Sequence, residues 1–430
     1  MFRTQLGESI FKQKYASNPY ETWADKSNTV VNSVCGDMDG KKNNLMAKSD
    51  RDQLAHYISE FKFIPGGRYL WYAGKEARFY NNCYLLRLEE DTREEWAGVT
   101  QRAMSCLMTG GGIGVDVSVA RPSGRQLKRT GGVASGPIPL LKTLNEVGRN
   151  VMQGGSRRSA LYGSLNWQHE DAVHLLKEKN WHDMTVPGTN ISLADAKKGD
   201  FNFPAPLDMM NVSLNYDSDW LHGNGSEVFN ENVRQAMMTG EPGFSFNFGA
   251  KENETLRNAC TEITSEDDSD VCNLGSVNLA AIDSIDEFKS VVNLASKFLV
   301  CGLIRAQVPY EKVSEVRQKN SRIGLGLMGM HEWLLKRGCR YEMTDELKQW
   351  MKIYESESKR SADEHCDRLF LNRPKGYRAI APTGTISIIA GTTSGVEPIY
   401  AVAYRRRYLA DGVKWKHQFV VDGTAETLIN

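Results

Sequence analysis

None of the eight cysteines, at positions 35, 83, 106, 260, 272, 301, 339 and 366, falls in a CxxC pair. That absence argues against a zinc ribbon and a secreted disulfide scaffold, and in a reducing compartment it leaves a few thiols for redox chemistry and the rest for core. Charge of one sign is missing too. The 53 lysines and arginines balance 53 aspartates and glutamates, so no global field recruits nucleic acid or an anionic membrane, and any nucleotide contact must come from a local site. No apolar run approaches the roughly 20 residues of a membrane span, and Met1-Phe-Arg-Thr-Gln-Leu6 has no signal-peptide core, which predicts a cytoplasmic protein with neither membrane nor DNA as partner. A Walker lysine motif and any short fixed-period repeat are also absent. A chain of 430 residues is long enough for one large barrel or for two to three smaller units.

What is present centres on Arg257 to Leu279. Cys260 and Cys272 flank Ser265-Glu-Asp-Asp-Ser-Asp270, a stretch expected to be a solvated turn that lets two short apolar segments fold back and bring the sulfurs together. Asn258, Cys260 and Glu262 alternate, so an extended segment would line one face with an amide, a thiol and a carboxylate. A donor, a sulfur and a candidate base at one spot is the geometry of a reaction centre. A half-buried strand with a core cysteine satisfies the same spacing.

Around this stretch the pattern alternates between helix and strand. Helices are predicted over Thr92 to Met108, from Pro137 with Ile138, Leu141, Leu144, Val147 and Val151 on one stripe, over Trp167 to Lys179, Ile285 to Arg305, Tyr310 to Gln318 and Thr344 to Leu371. Phe79 to Leu86 reads as a strand whose Cys83 is either core or chemistry. Gly110-Gly-Gly-Ile-Gly114 follows a helix and leads into the strand-like Val115 to Val119, the wrong context for a dinucleotide turn, and suits instead a close approach of backbone to a ligand. Polar loops at Arg121 to Ser135 and Gln153 to Arg158 flank the Pro137 helix and either hold an anion or are solvated turns. Ala379 to Ala381 reads as an apolar strand stopped by Pro382, after which Thr383-Gly-Thr-Ile-Ser387 supplies hydroxyls and N–H groups suited to phosphate, or simply an N-capped helix start.

Taken in order, these pieces resemble the catalytic α chain of ribonucleotide reductases, and most of all the compact adenosylcobalamin-dependent and small phage-type members. The resemblance runs over roughly residues 60 to 410 through Pro65-Gly-Gly-Arg-Tyr-Leu-Trp71, Asn81-Asn-Cys-Tyr84, Gly110 to Gly114, Ala134-Ser-Gly-Pro137, Gln153-Gly-Gly-Ser-Arg-Arg158, Asn258-Ala-Cys-Thr-Glu262, Cys272 to Leu279, Arg322-Ile-Gly-Leu-Gly326 and Ala381 to Ser387. It implies an α/β fold, a ten-stranded α/β barrel with a central finger loop at 61–430, incomplete at its C-terminal end, after a mainly helical region at 1–60 without an ATP cone. Cys260 matches the radical cysteine at the finger tip, Glu262 the base on the ribose 3′-hydroxyl, Asn258 the amide that positions the ribose, and Cys83 with Cys272 the dithiol that ends as a disulfide. Pro382, Thr383, Gly384, Thr385, Ile386 and Ser387 match the substrate-phosphate turn; Asn82, Gly111 and Gly112 match substrate contacts. Arg121, Lys128, Arg129, Gln153, Arg157 and Arg158 fall in the loops where a deoxynucleotide effector acts at a homodimer interface.

The implied activity is thiyl-radical reduction of ribonucleotides to 2′-deoxyribonucleotides for DNA synthesis. Its radical comes from adenosylcobalamin or from a metal-containing ferritin-like partner subunit, with no metal held by this chain, and its electrons from an external thiol such as a thioredoxin- or glutaredoxin-like protein. Three departures bear on this: no cysteine follows Cys366, no Tyr-Tyr pair occurs, and the family pattern continues beyond Tyr408 for several elements. They lead to the expectation of a truncated chain or of a second polypeptide that completes the barrel. A glycyl-radical enzyme would have no use for the Cys83 and Cys272 pair, and a non-catalytic nucleotide-binding barrel would be favoured by loss of Asn258, Cys260 or Glu262, all of which are present.

Overall fold

The computed structural model describes residues 2–37, 44–128, 131–151, 159–224, 226–410 and 414–429. They form two compact units, one from residues 1–82, 272–307 and 317–430 and the other from 83–271 and 308–316.

The parallel ladder of the second unit is made of Cys83–Arg87, Gly112–Asp116, Leu161–Asn166, Met210–Tyr216 and Gly243–Phe246. They pair in chain order and all in parallel, with Cys83 opposite Gly112, Ile113 opposite Leu161, Leu161 opposite Met210 and Ser213 opposite Gly243. Parallel neighbours need crossovers. These carry the helices Arg93–Met108, Ile138–Asn150, Ala172–Lys177 and Ser226–Thr239. The first begins where Thr92 accepts the Glu95 N–H at 3.1 Å, a cap that contributes about 1 kcal/mol. Val99, Ala103 and Leu107 from that helix and Leu141 and Leu144 from the next pack on Leu86, Ile113 and Val115, all but completely buried. The stripe predicted for the Pro137 helix is therefore turned: Leu140, Leu141, Leu144 and Gly148 face inward, while Ile138 and Val147 sit at its edge.

In the first unit, the helices Gln5–Lys14, Trp23–Cys35 and Lys48–Ser59 precede the strand Phe63–Pro65. That strand runs antiparallel to Asp270–Asn278, with Phe63 opposite Val277, and Ile323–Met328 lies parallel to it on the same sheet, with Ile323 opposite Asn273. Helices Ile285–Arg305 and Asp345–Arg368 cover this sheet, and their starts are capped by Ser284 and Thr344. The glycine-dense segment from Arg322 is a fully buried strand, as its composition suggests, and Gly326 lets the Ala379 carbonyl approach to where a Cβ would lie 2.6 Å away. Residues Ala403–Ala410 and Lys414–Val421 form an antiparallel hairpin.

Some sequence expectations need correction. Gly112 and Gly114 lie inside a strand rather than before one, because that strand packs against a neighbouring loop that leaves no room for side chains. Only Ala172–Lys177 of the predicted Trp167 helix is helical. Ala379 to Ala381 is not a strand. Its one ladder contact is a bridge at Arg378 to Leu325, with Ala379 N–H donating to the Leu325 carbonyl at 3.0 Å.

Candidate active site

The stretch singled out in the second unit is a short hairpin. Leu256 pairs with Ser265 and Arg257 with Thr264, and residues 258–263 form its tip. The root is clamped by Arg257, a buried side chain that donates to the Glu254 and Phe246 carbonyls at 2.7 and 3.0 Å and to Asn247 Oδ1 at 2.7 Å. Its charge sits among oxygen acceptors, which offsets the cost of burial. The hairpin lies directly on the strand Gly112–Asp116. A Cβ on Gly114 would stand 1.8 Å from the Arg257 carbonyl oxygen, and one on Gly112 would stand 2.9 Å from Ala259 Cβ. The close approach expected at the glycine run is made by the chain's own finger, and no Cβ can be tolerated beneath it.

The tip is a turn rather than the extended alternation predicted from spacing. Thr261 N–H donates to the Asn258 carbonyl at 3.0 Å, and Thr261 itself has φ of +67°. A β-branched residue in the left-handed region costs about 1–3 kcal/mol, which the clamped root and the packing on Gly112 sustain. In this geometry Asn258 is fully buried, its Oδ1 accepting the Ile263 N–H at 3.0 Å, while Cys260 is exposed. Asn258 Nδ2 and both Glu262 oxygens are buried with no hydrogen-bond partner among the described residues. Burial pushes the Glu262 carboxyl above the usual carboxylate range, and the Asn258 side chain works against that shift without reaching either oxygen at ordinary hydrogen-bond geometry.

The acidic stretch after the tip is not solvated. Ser265, Asp268, Ser269 and Asp270 are buried, because each finds a partner. Asp268 accepts the Arg87 N–H at 2.7 Å and pairs with Lys312 at 2.8 Å, Ser265 Oγ donates to Asp270 at 2.7 Å, and Ser269 Oγ lies 3.0 Å from the Tyr310 hydroxyl.

Cys83 is buried at the first position of its strand in this unit. Arg121 is paired with Asp91, its own N–H donating to Oδ2 at 3.0 Å, and Lys128 is exposed. Arg129, Gln153, Arg157 and Arg158 lie outside the described residues. One feature had no sequence signal. A polar cavity of about 480 Å³ opens at the carboxyl ends of the parallel strands, lined by Arg87, Asp116, Ser118, Asn166 and Asn215 among others, and none of the tip residues lines it.

The first unit carries the remaining candidates. Cys272 is buried, its thiol donating to the Asn273 carbonyl at 3.4 Å, and Gly324 on the neighbouring strand, opposite Leu274, leaves room for the sulfur, since a Cβ there would be 3.0 Å from Sγ. Asn82 donates its N–H to the Cys272 carbonyl at 3.2 Å, which fixes the residue before Cys83 against the strand of Cys272. In the turn at 382–387, Thr383 has φ of +52°, its Oγ1 accepts the Gly395 N–H at 2.8 Å, and its carbonyl accepts the Ser387 N–H at 2.9 Å. Ser387 Oγ pairs with Ser394 Oγ at 2.8 Å, Pro382 and Gly384 are exposed, and Thr385 leads into the short helix Ile386–Ala390. Sequence reasoning missed what holds this turn. Gly7 of the N-terminal helix packs on the Ile388 carbonyl. Buried Glu332 accepts Thr392 Oγ1 at 2.6 Å and pairs with Arg3 at 2.8 Å and Lys336 at 3.1 Å.

Residues 81–195, 222–357 and 375–426 match the barrel domain of ribonucleotide reductases. The chain belongs to the ribonucleotide reductase family. Among curated reductases it is 26% identical over 387 residues to the vitamin B12-dependent ribonucleoside-diphosphate reductase of Mycobacterium tuberculosis, covering 83% of this chain and 55% of that protein. The protein of the same name from Thermoplasma acidophilum is 27% identical over 395 residues, with 82% and 51% covered. A protein of Mycobacterium phage D29, named provisionally as an adenosylcobalamin-dependent ribonucleoside-triphosphate reductase, is 26% identical over 540 residues, with 93% and 75% covered. The chain thus spans about half the length of the first two reductases it matches. Its fold also matches the Actinobacillus ureae class Id ribonucleotide reductase alpha subunit, with a TM-score of 0.74 at 17% identity over 93% of this chain and 76% of that one. The α/β fold expected of the family is therefore present, and no helix among the described residues is long and apolar enough to cross a membrane.

Proposed function

We propose that this chain carries the catalytic machinery for reducing ribonucleotides to 2′-deoxyribonucleotides by a thiyl radical at Cys260. The observation that carries the reading is the hairpin tip. An exposed thiol stands between a buried amide and a buried carboxylate whose Nδ2, Oε1 and Oε2 have no partner among the described residues. Polar atoms buried without partners are expensive, about 1–3 kcal/mol each, and a polyhydroxylated substrate would supply what they lack.

In this reading the Cys260 radical takes hydrogen from C3′ of the ribose. Glu262, its proton affinity raised by burial, accepts the 3′-hydroxyl proton, and Asn258 orients the hydroxyls. Cys83 and Cys272 protonate the departing 2′-hydroxyl, which leaves as water, and supply two electrons as they close to a disulfide; Cys260 then returns hydrogen to C3′. The turn from Pro382 to Ser387, together with Asn82 and the backbone at Gly111 and Gly112, contacts the substrate. A deoxynucleotide effector acts through the loops that include Arg121 and Lys128 in a homodimer.

An exposed Cys260 fits a radical generator that approaches from outside the unit. Adenosylcobalamin, which the relatives' names carry, would supply an oxidising radical there when bound. A metal-containing partner subunit is the second candidate, and an external dithiol protein would reduce the disulfide. The test is deoxynucleotide formation from all four ribonucleotides with dithiothreitol, once with adenosylcobalamin and once with a radical-generating subunit. Product with one source is expected; no product with either overturns the reading.

A further inference from the structure

Every residue of the strand Asp270–Asn278, which carries Cys272, is buried. Successive side chains leave a strand on opposite faces, so Asn273 points away from Cys272 and toward helix Ile285–Arg305. An amide stands there in a fully buried position that an apolar side chain could fill. Its Nδ2 donates to the Tyr69 hydroxyl at 2.5 Å and to the Leu299 carbonyl at 2.8 Å, which uses both of its hydrogens. Its Oδ1 is buried with no partner among the described residues. An unanswered buried oxygen costs about 1–3 kcal/mol, so packing alone does not account for an asparagine at this position.

The elements that hold the amide are shaped to it. Helix Ile285–Arg305 brings Gly302 over the junction, where a Cβ would stand 1.8 Å from the Tyr69 hydroxyl oxygen and 2.7 Å from Asn273 Nδ2. Tyr69, from the short helix Gly67–Tyr72, is fully buried, stacked on Tyr80 with ring centroids 4.9 Å apart and tilted against Phe298 at the same distance. Packed on both rings, it presents its hydroxyl as a fixed acceptor. Gly66, just before that helix, donates its N–H to the Leu274 carbonyl at 2.7 Å and ties the same segment to the strand. On the other face the Cys272 thiol donates to the Asn273 carbonyl at 3.4 Å, and the Cys272 carbonyl accepts the Asn82 N–H at 3.2 Å. The carbonyl that receives the thiol thus belongs to the residue whose side chain is pinned from behind. A roll of the strand about its own axis would disturb the thiol contact in front and the amide contacts behind together.

We infer that Asn273 and Tyr69 are positioning residues for Cys272, which fix the roll of its strand against helix Ile285–Arg305 and so aim the reduced sulfur. The inference rests on the reading of Cys272 as half of the redox pair with Cys83. The contact from the thiol to the Asn273 carbonyl exists only while the sulfur carries hydrogen, so the clasp favours the dithiol over the disulfide. Loosening the clasp removes that preference and moves the equilibrium toward the disulfide, in which the covalent bond holds the sulfur by itself.

The test is the thiol–disulfide equilibrium of the pair. The protein is equilibrated in graded mixtures of reduced and oxidised dithiothreitol, free thiols are alkylated, and the peptide linking Cys83 to Cys272 is measured against the alkylated peptides. Each dithiothreitol that reduces the pair passes two electrons and two protons to the sulfurs and closes its own ring disulfide. In Tyr69→Phe, which keeps the ring stack and removes only the hydroxyl, the midpoint is expected to move about tenfold toward the disulfide. Tyr80→Phe is the control. It removes a hydroxyl from the same stack, one with no partner among the described residues, and should leave the midpoint unchanged. A Tyr69→Phe midpoint equal to that of wild type overturns the inference. An equal shift in both variants also overturns it, since that marks a loosened core rather than an aimed sulfur. Wild-type protein that forms no peptide linking Cys83 to Cys272 at any ratio overturns the pairing itself, and the inference with it.

Discussion

Asn258 to Glu262 and Ser265 to Asp270 are neighbours in the chain, both polar, and both carry side-chain atoms away from solvent, yet their bonding differs completely. In the second stretch every acidic side chain that is buried is answered: Asp268 by Arg87 N–H and Lys312, Asp270 by Ser265 and by the Val271 N–H at 2.8 Å. In the first, Asn258 Nδ2 and the Glu262 oxygens find no partner among the described residues, and Thr261 adds a strained backbone. Satisfied polar groups fix a scaffold, whereas unsatisfied ones next to an exposed thiol are held ready for something outside the chain. On this contrast the acidic stretch is the mount and the tip is the instrument.

Cys260→Ala tests the tip at its most exposed point and carries the largest expected effect. Deoxynucleotide formation should vanish with either radical source while the melting temperature stays within about 1 °C, because an exposed thiol contributes little packing. Residual turnover would move the radical elsewhere.

Glu262→Gln comes next, with a loss of about a hundredfold to ten-thousandfold in kcat, the range for removing a general base. The linkage has a definite sign. Burial raises the carboxyl in the folded state, so the folded protein binds this proton more tightly than the unfolded chain does. The ionised group therefore opposes folding at pH above its raised value, and the penalty fades as pH falls through that value. The Gln variant should melt higher than wild type at neutral pH and equally where the carboxyl is protonated. A uniform drop at all pH values would make Glu262 a structural residue and erase the contrast with Asp268.

How much of this was legible in the sequence depends on whether a signal was local. Helix Ile285–Arg305 agrees with its prediction because Ser284 caps it and its apolar period is unbroken. The ordered motifs carried the family, and with it the fold. Spacing alone misjudged the tip, because period-two alternation in Asn258, Cys260 and Glu262 is also compatible with a turn, and only the clamp by Arg257 and the strand beneath it select the turn. It misjudged the acidic stretch for a related reason: burial of Asp268 depends on Lys312 and Arg87, remote in sequence, and composition registers charge without its partners. Glu332 and Gly7, which hold the turn at 383–387, were invisible on the same grounds.

Gly114→Ala probes the bed of the finger. A methyl 1.8 Å from the Arg257 carbonyl must push the hairpin away, at a cost of about 3 kcal/mol in stability by denaturant unfolding and with loss of turnover out of proportion to it. Stability and activity unchanged from wild type would mean that the finger is not seated as described.

Asp268→Asn is the smallest of these effects and the cleanest probe of the mount. Removing the charge leaves Lys312 without its buried partner, but Lys312 is 37% exposed and retains Glu89 at 2.6 Å, so water and a second carboxylate take up part of the loss. About 2 kcal/mol is expected, below the range for a fully buried pair, and the Asn side chain can still accept the Arg87 N–H. Because the change lies in the saturated stretch, kcat should fall less than threefold in protein that remains folded at the assay temperature. A larger fall in kcat at full foldedness would mean that the acidic stretch tunes the tip directly, and the division between mount and instrument would have to be redrawn around Asp268.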